Sequence, residues 1–213
     1  MLIDFLKNIT IRKYYLLKLW WDQKDSFLTH TGWVNSFRNK NCTDAKGGPV
    51  PWLTHTINKI LEDRLRSDMK VFEYGSGYST LFYAPRVALV HTVEYDKAWQ
   101  EWLMKKAPAN VHIFYAPQES EDYVKHLGDL PHEFDLIVID GRRRNGCAEQ
   151  ALQKLSRTGV IIYDDTHREK YRKGYAAIIE SGFKKLDFWG FANGSIDYKC
   201  TTLFYRDENC LGI

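Results

Sequence analysis

Val71-Phe72-Glu73-Tyr74-Gly75-Ser76-Gly77-Tyr78-Ser79-Thr80 decides the fold class of this 213-residue chain. An apolar strand runs directly into a Gly-x-Gly turn and then into a short helix. Glycine is required there because the turn is tight and because a ligand has to approach the backbone closely. Glu94 ends the next apolar stretch, 17 residues beyond Gly77, where a carboxylate can accept hydrogen bonds from the two hydroxyls of a ribose. The same residues also fit an ordinary strand–turn–helix with an incidental glutamate.

Outward from this stretch the hydrophobic period keeps alternating between two and about 3.6 residues. Strands are predicted at Lys70–Tyr74, Ala88–Glu94, Val111–Ala116, Asp135–Asp140 and Gly159–Tyr163. Helices are predicted at Trp52–Leu65, Asp96–Lys106, Cys147–Leu155 and Thr166–Ile179. Such alternation implies βαβ units, a parallel sheet and helices on both faces. The tail differs: Phe183–Trp189 and Cys200–Arg206 are joined by a turn-rich stretch too short for a crossover helix, so they should pair antiparallel. The expected architecture is α/β and Rossmann-like, with a mainly parallel sheet ending in an antiparallel hairpin. Residues 49–213 form its domain, and residues 1–48 form a helical cap.

Composition narrows the function classes. With 30 basic and 27 acidic residues the net charge is +3, too slight for the basic face that phosphates call for, so no nucleic-acid partner is expected. Cys42, Cys147, Cys200 and Cys210 match no zinc spacing and read as scattered reduced thiols, which implies a cytoplasmic protein. No apolar run approaches the roughly 20 residues of a transmembrane helix. Residues 1–40 are basic and aromatic, and apolar positions at helical spacing fit a cap that packs on the main domain or on a second copy in a homodimer. They also fit peripheral membrane contact through residues 1–21.

Two cofactor classes use a strand–Gly-x-Gly–helix unit: dinucleotides and S-adenosylmethionine (SAM). The dinucleotide pattern wants a third glycine where Thr80 stands, and Glu73 would repel a pyrophosphate but suits the ammonium of a methionine moiety. The stretch Glu73-Tyr74-Gly75-Ser76-Gly77 resembles the first motif of class I SAM-dependent methyltransferases, and His91-Thr92-Val93-Glu94-Tyr95-Asp96 resembles the second. The resemblance runs from about Pro49 to Arg206 and is nearest to the sugar and natural-product O-methyltransferase branch. It implies a seven-stranded sheet closed by a hairpin and a cofactor held by Glu73, Gly75, Ser76, Gly77, Glu94 and Asp140. Gln118 would lie near the adenine. The common third glycine of the first motif is Ser79 here.

On the acceptor side, Asp140 closes the fourth strand and Asp164–Asp165 close the fifth, at the carboxyl edge where ligands of open α/β sheets bind. Three such carboxylates can bind Mg²⁺, as an Asp…Asp-Asp arrangement does in the resembling sugar methyltransferases. They can equally cap a helix or pair with arginine. Asp140 and His167 are the catalytic candidates, with His167 as general base. Arg142 and Arg143 are candidate grips for an anionic group on the substrate. Trp33, Trp52 and Tyr163 are candidate stacking surfaces for a sugar ring. The expected reaction is O-methylation of a small molecule or carbohydrate. The rival readings are a SAM-binding protein without turnover and an NAD(P)-dependent oxidoreductase.

Overall fold

The computed structural model describes residues 13–14 and 26–213, so the membrane-contact reading of residues 1–21 falls almost wholly outside them. Seven strands form one sheet: β1 Lys70–Tyr74, β2 Leu89–Glu94, β3 Val111–Tyr115, β4 Phe134–Ile139, β5 Leu155–Asp164, β6 Lys184–Gly190 and β7 Lys199–Tyr205. Their order is β3-β2-β1-β4-β5-β7-β6. The first five are mutually parallel, and β7 runs antiparallel to both β5 and β6. Chain order reverses between β1 and β4, which places the ligand crevice of an open α/β sheet there.

Helices cover both faces. α1 Phe27–His30, α2 Trp33–Asn39 and α3 His55–Arg64 precede β1; α4 Tyr78–Tyr83, α5 Lys97–Met104, α6 Glu121–Asp129, α7 Arg144–Lys154 and α8 Arg172–Glu180 alternate with the strands after it. No described helix is long and apolar enough to cross a membrane. Asp96 caps α5 by accepting from the Trp99 amide at 3.0 Å, and Ser120 caps α6 through the Asp122 amide at 3.1 Å. One core joins Phe72, Tyr74, Ile137, Ile139, Ala148 and Ile178; the other joins Ile57, Leu61, Val71, Leu136, Val138 and Leu203.

Because strand side chains alternate, parity decides what each strand end presents. Glu73 continues the face of Val71, Asp140 that of Val138, and Asp164 that of Val160 and Ile162; Thr201 and Lys199 continue that of Leu203. All five polar ends therefore point to the face covered by α3 and α4. The segment around α1 and α2 is bolted to the β6–β7 loop. Trp33 Nε1 donates to the Ser195 carbonyl at 2.7 Å, and Asn193 Nδ2 donates to the Thr31 and Thr43 carbonyls at 3.1 and 2.9 Å.

The predicted helix at Thr166–Ile179 is corrected. Asp165 adopts φ +59, Thr166 turns back to the β7 Cys200 carbonyl, and a 3-10 turn at Glu169–Tyr171 precedes α8. Trp33 and Tyr163 are buried in packing, so of the three proposed stacking aromatics only Trp52 is exposed. The four cysteines are free and buried.

Candidate active site at the β1–β4 crevice

The crevice floor is bare backbone. Gly75 takes φ +91, and a Cβ there would stand 3.1 Å from the Gly141 Cα. At Gly141 a Cβ would meet the Tyr123 hydroxyl at 1.9 Å and the Gly75 nitrogen at 2.9 Å. The two strand ends thus meet through glycine backbone, with the Tyr123 hydroxyl filling the space a Gly141 side chain would need. Trp99 closes the outer side: its Nε1 donates to the Ser76 carbonyl at 2.8 Å, and its ring lies 3.3 Å from where a Gly77 Cβ would be.

Glu94, 3% exposed, straps this loop before any ligand arrives. Its Oε2 accepts from the Ser76 amide and hydroxyl at 2.9 and 2.7 Å, and its Oε1 accepts from the Tyr95 and Asp96 amides at 2.9 and 2.8 Å. The Ser76 hydroxyl is the partner that a simple χ1 rotation releases, leaving acceptor capacity for an incoming hydroxyl.

Glu73 is buried beneath the loop. Thr80 Oγ1 donates to it at 2.6 Å while accepting from the Gly77 amide at 3.0 Å, so Thr80 locks the glutamate to the glycine loop. Burial pushes Glu73 up to about 8, and hydrogen bonds from Ser79 and Thr80 pull it back only in part. Nearby, the fully buried Tyr83 hydroxyl has no hydrogen-bond partner; burial raises it, and the charges of Glu73, Asp140 and Asp164 raise it further. A buried carboxyl with no cationic partner, near an orphaned hydroxyl, is an environment that an incoming cation would stabilise in its charged form. Because Glu73 is raised in the folded chain, the folded state binds the extra proton between pH 4.5 and about 8, and stability falls as pH rises through that window. Glu73→Gln keeps the acceptor for Thr80 and removes this slope. Differential scanning fluorimetry should give nearly equal Tm values for the two proteins at pH 4.5, and at pH 8.5 a variant more stable by several degrees, because the burial of the Glu73 charge is relieved. A less stable variant at pH 8.5 would mean that Glu73 is already ionised and paired.

Asp140 stands at the β4 end, its amide bonded to the Tyr74 carbonyl at 3.2 Å. Burial and then the Asp164 carboxylate push it up to about 7, against the pull of Arg144 and Lys199. Arg144 is the buried cation here: Nη2 donates to Asp140 Oδ1 at 3.0 Å, Nη1 to the Asp164 carbonyl at 2.6 Å, and Nε to the Gly141 carbonyl at 2.9 Å. Asp164 is equally occupied, by Thr201 Oγ1 at 2.5 Å on Oδ1 and Lys199 Nζ at 2.6 Å on Oδ2. Asp165 lies 3.5 Å from both Arg144 Nη1 and Lys199 Nζ, and 3.3 Å from the half-exposed Arg168.

This arrangement is a poor fit for Mg²⁺ at Asp140, Asp164 and Asp165. A hard cation needs several free oxygens around one point, whereas these carboxylates are already turned towards two buried cations. Among the described residues no group of three or more acids, histidines and cysteines is arranged to hold a metal. The residues do not fit the ion.

His167 is not joined to Asp140: its Nδ1 accepts from the Cys200 amide at 3.2 Å and its ring lies 6.2 Å from that of Trp189. It lines a groove of about 420 Å³ shared with Arg168, Tyr175, Asp187 and Trp189, between α8 and β6. Arg142 reaches over β2, with Nη2 on the Tyr95 hydroxyl at 2.8 Å. Arg143 bonds the Ser120 carbonyl and pairs with Glu121. Both arginines thus lie on the β2–α6 side, away from the carboxylate cluster. Gln118 sits on the loop after β3 and donates to Glu119 at 2.7 Å. Arg144, visible in the sequence only as the last of three arginines of which one could pair with Asp140, is the one that does so; Lys199, Thr201, Tyr83 and Trp99 carry no such signal.

No family model matches the chain. Over 149 residues it is 27% identical to part of the isoleucine–tRNA ligase of Mycoplasma pneumoniae, a match spanning 60% of this chain and only 16% of the ligase. Solved structures are more informative about the fold. A precorrin-6y C5,15-methyltransferase from Geobacter metallireducens superposes with a TM-score of 0.55 at 14% identity, covering 80% of this chain and 96% of that one. Aeropyrum pernix fibrillarin with bound SAM superposes at 0.52 and 14% identity, covering 66% and 68%. The fold is that of the Rossmann-like methyltransferases. A precorrin 8w decarboxylase from Methanobacterium thermoautotrophicum shares it at a TM-score of 0.54 and 15% identity, covering 78% and 96%. These likenesses do not single out the sugar and natural-product branch.

Proposed function

We propose that this chain is a SAM-dependent methyltransferase acting on a hydroxyl oxygen of a small molecule or carbohydrate. The observation that carries the reading is the buried Glu73, locked through Thr80 to the Gly75–Gly77 loop, with Glu94 strapping the same loop from the next strand. Glu73 and the Gly75 backbone would take the methionine end of SAM, and Glu94 the ribose. Tyr83 offers its unpaired hydroxyl on the methionine side. When bound, SAM supplies a methyl group on a sulfonium centre.

The protein's remaining work is to position the acceptor and remove its proton. Asp140 is suited to remove it, because it is part-exposed at the crevice and burial has brought its carboxylate near neutrality. Arg144 holds it by Oδ1, which leaves Oδ2 to receive the hydroxyl proton as the new O–C bond forms. The four free thiols suit a reducing, cytoplasmic setting.

Isothermal titration calorimetry with SAM, its demethylated product SAH, NADH and NADPH tests the cofactor class. Micromolar SAM and SAH binding with no nicotinamide binding is expected. A panel of hexoses, phenols and catechols, read by SAH release, then tests transfer. Binding of NADH or NADPH in place of SAM would sink the reading.

A further inference from the structure

The acid cluster carries its own cation. Asp140, Asp164 and Asp165 come from two adjacent strand ends, and such a concentration of negative charge below the surface is stable only when paired. Arg144 answers from the start of α7 and Lys199 from the start of β7, with side chains only 8% and 12% exposed. Their arrangements differ. Arg144 spends most of its donors on backbone carbonyls, as a structural clamp does. Lys199 instead points its ammonium between carboxylates, at 2.6 Å from Asp164 Oδ2 and 3.5 Å from Asp165 Oδ1, steadied by the Trp52 carbonyl at 3.2 Å.

Register makes this placement inevitable. Asp164 pairs with Thr201 across the β5–β7 ladder, so Lys199, two residues earlier on the same face, extends past the β5 end over the carboxylates. Asp165 Oδ1 is buried without a hydrogen-bond partner, so the ammonium is the group that balances it. Burial alone would pull the Lys199 proton off, but Asp164, Asp140 and Asp165 together outweigh it and hold the lysine charged.

We propose that Lys199 is the resident cation of this cluster, standing where a divalent ion would otherwise bind, so that the site works without a metal. The inference goes beyond the methyltransferase reading, because it concerns the carboxylates whatever the acceptor.

Electron paramagnetic resonance of free Mn²⁺, titrated into the full chain without any cofactor, tests it. The wild type should leave Mn²⁺ free up to about 1 mM, since its carboxylate oxygens are engaged. Lys199→Ala should bind Mn²⁺ at least about tenfold more tightly, and adding Asp164→Asn should abolish that gain. Lys199→Arg keeps the charge and should behave as the wild type. Thermal melting verifies the fold of each protein; if Lys199→Ala does not fold, Lys199→Gln, which retains a donor for Asp164, carries the same expected gain. Micromolar Mn²⁺ binding by the wild type that is lost in Asp164→Asn would overturn the proposal, as would a folded Lys199→Ala or Lys199→Gln with no gain.

Discussion

Glu94→Ala should weaken SAM binding at least about 100-fold, as measured by calorimetry, because it removes charge-assisted hydrogen bonds worth roughly 1.5–3 kcal/mol each. Two losses combine. On the proposed reading the carboxylate is lost to the ribose hydroxyls, and the Ser76, Tyr95 and Asp96 amides lose the acceptor that holds the loop in shape. Glu94→Gln separates them. Its amide oxygen can still accept from one side of the loop, so folding should be nearly intact, while its NH2 faces donors where an oxygen is needed. Binding should then fall to an intermediate level, about tenfold below the wild type. Unchanged SAM affinity in both variants would show that Glu94 serves the loop alone.

Much of this was legible in the amino-acid order, and the misses have physical causes. β1 was read with its observed ends because an apolar run closes abruptly on Glu73 and the glycines. The hairpin was read from lack of room for a crossover, and β6 and β7 fall within one residue of the expectation. α6 has no clear sequence signal: Tyr123, Val124 and Leu127 form its only buried stripe, between acidic residues and Gly128. β5 begins at Leu155, earlier than expected, because the register shift against β4 lets the strand start where a helix end was read.

The site shows the same division. Glu73, Glu94 and Asp140 end strands whose alternation is visible in the sequence, so their common edge could be read. Lys199 and Thr201 join them only through the antiparallel register Asp164↔Thr201, a long-range fact with no local signal. The arginine run illustrates another limit. Arg143 takes φ +49, and this turn sends Arg142 and Arg143 outward to Tyr95 and Glu121 while Arg144 enters the cluster. Three identical side chains in sequence carry no sign of which one turns inward.

Asp140→Asn should lower kcat for methyl transfer by about 100- to 10,000-fold, the range a positioned general base supplies, with SAM affinity changed less than about threefold. The asparagine retains an oxygen for Arg144 Nη2, which stands 3.0 Å from Oδ1 in the wild type, so the clamp should survive. What it loses is the ability to accept a proton. The pH profile gives the sharper test. Burial and Asp164 hold Asp140 up to about 7, so the wild-type rate, measured by SAH release on the acceptor that the panel returns, should fall as pH drops through that value and the base becomes protonated. The residual activity of Asp140→Asn should show no such limb. Asp164→Asn removes one of the charges that raise Asp140, so its acid limb should move to lower pH. An acid limb that persists in Asp140→Asn would assign the proton to another group, and His167, bound to the Cys200 amide in its own groove, would then have to be tested in its place.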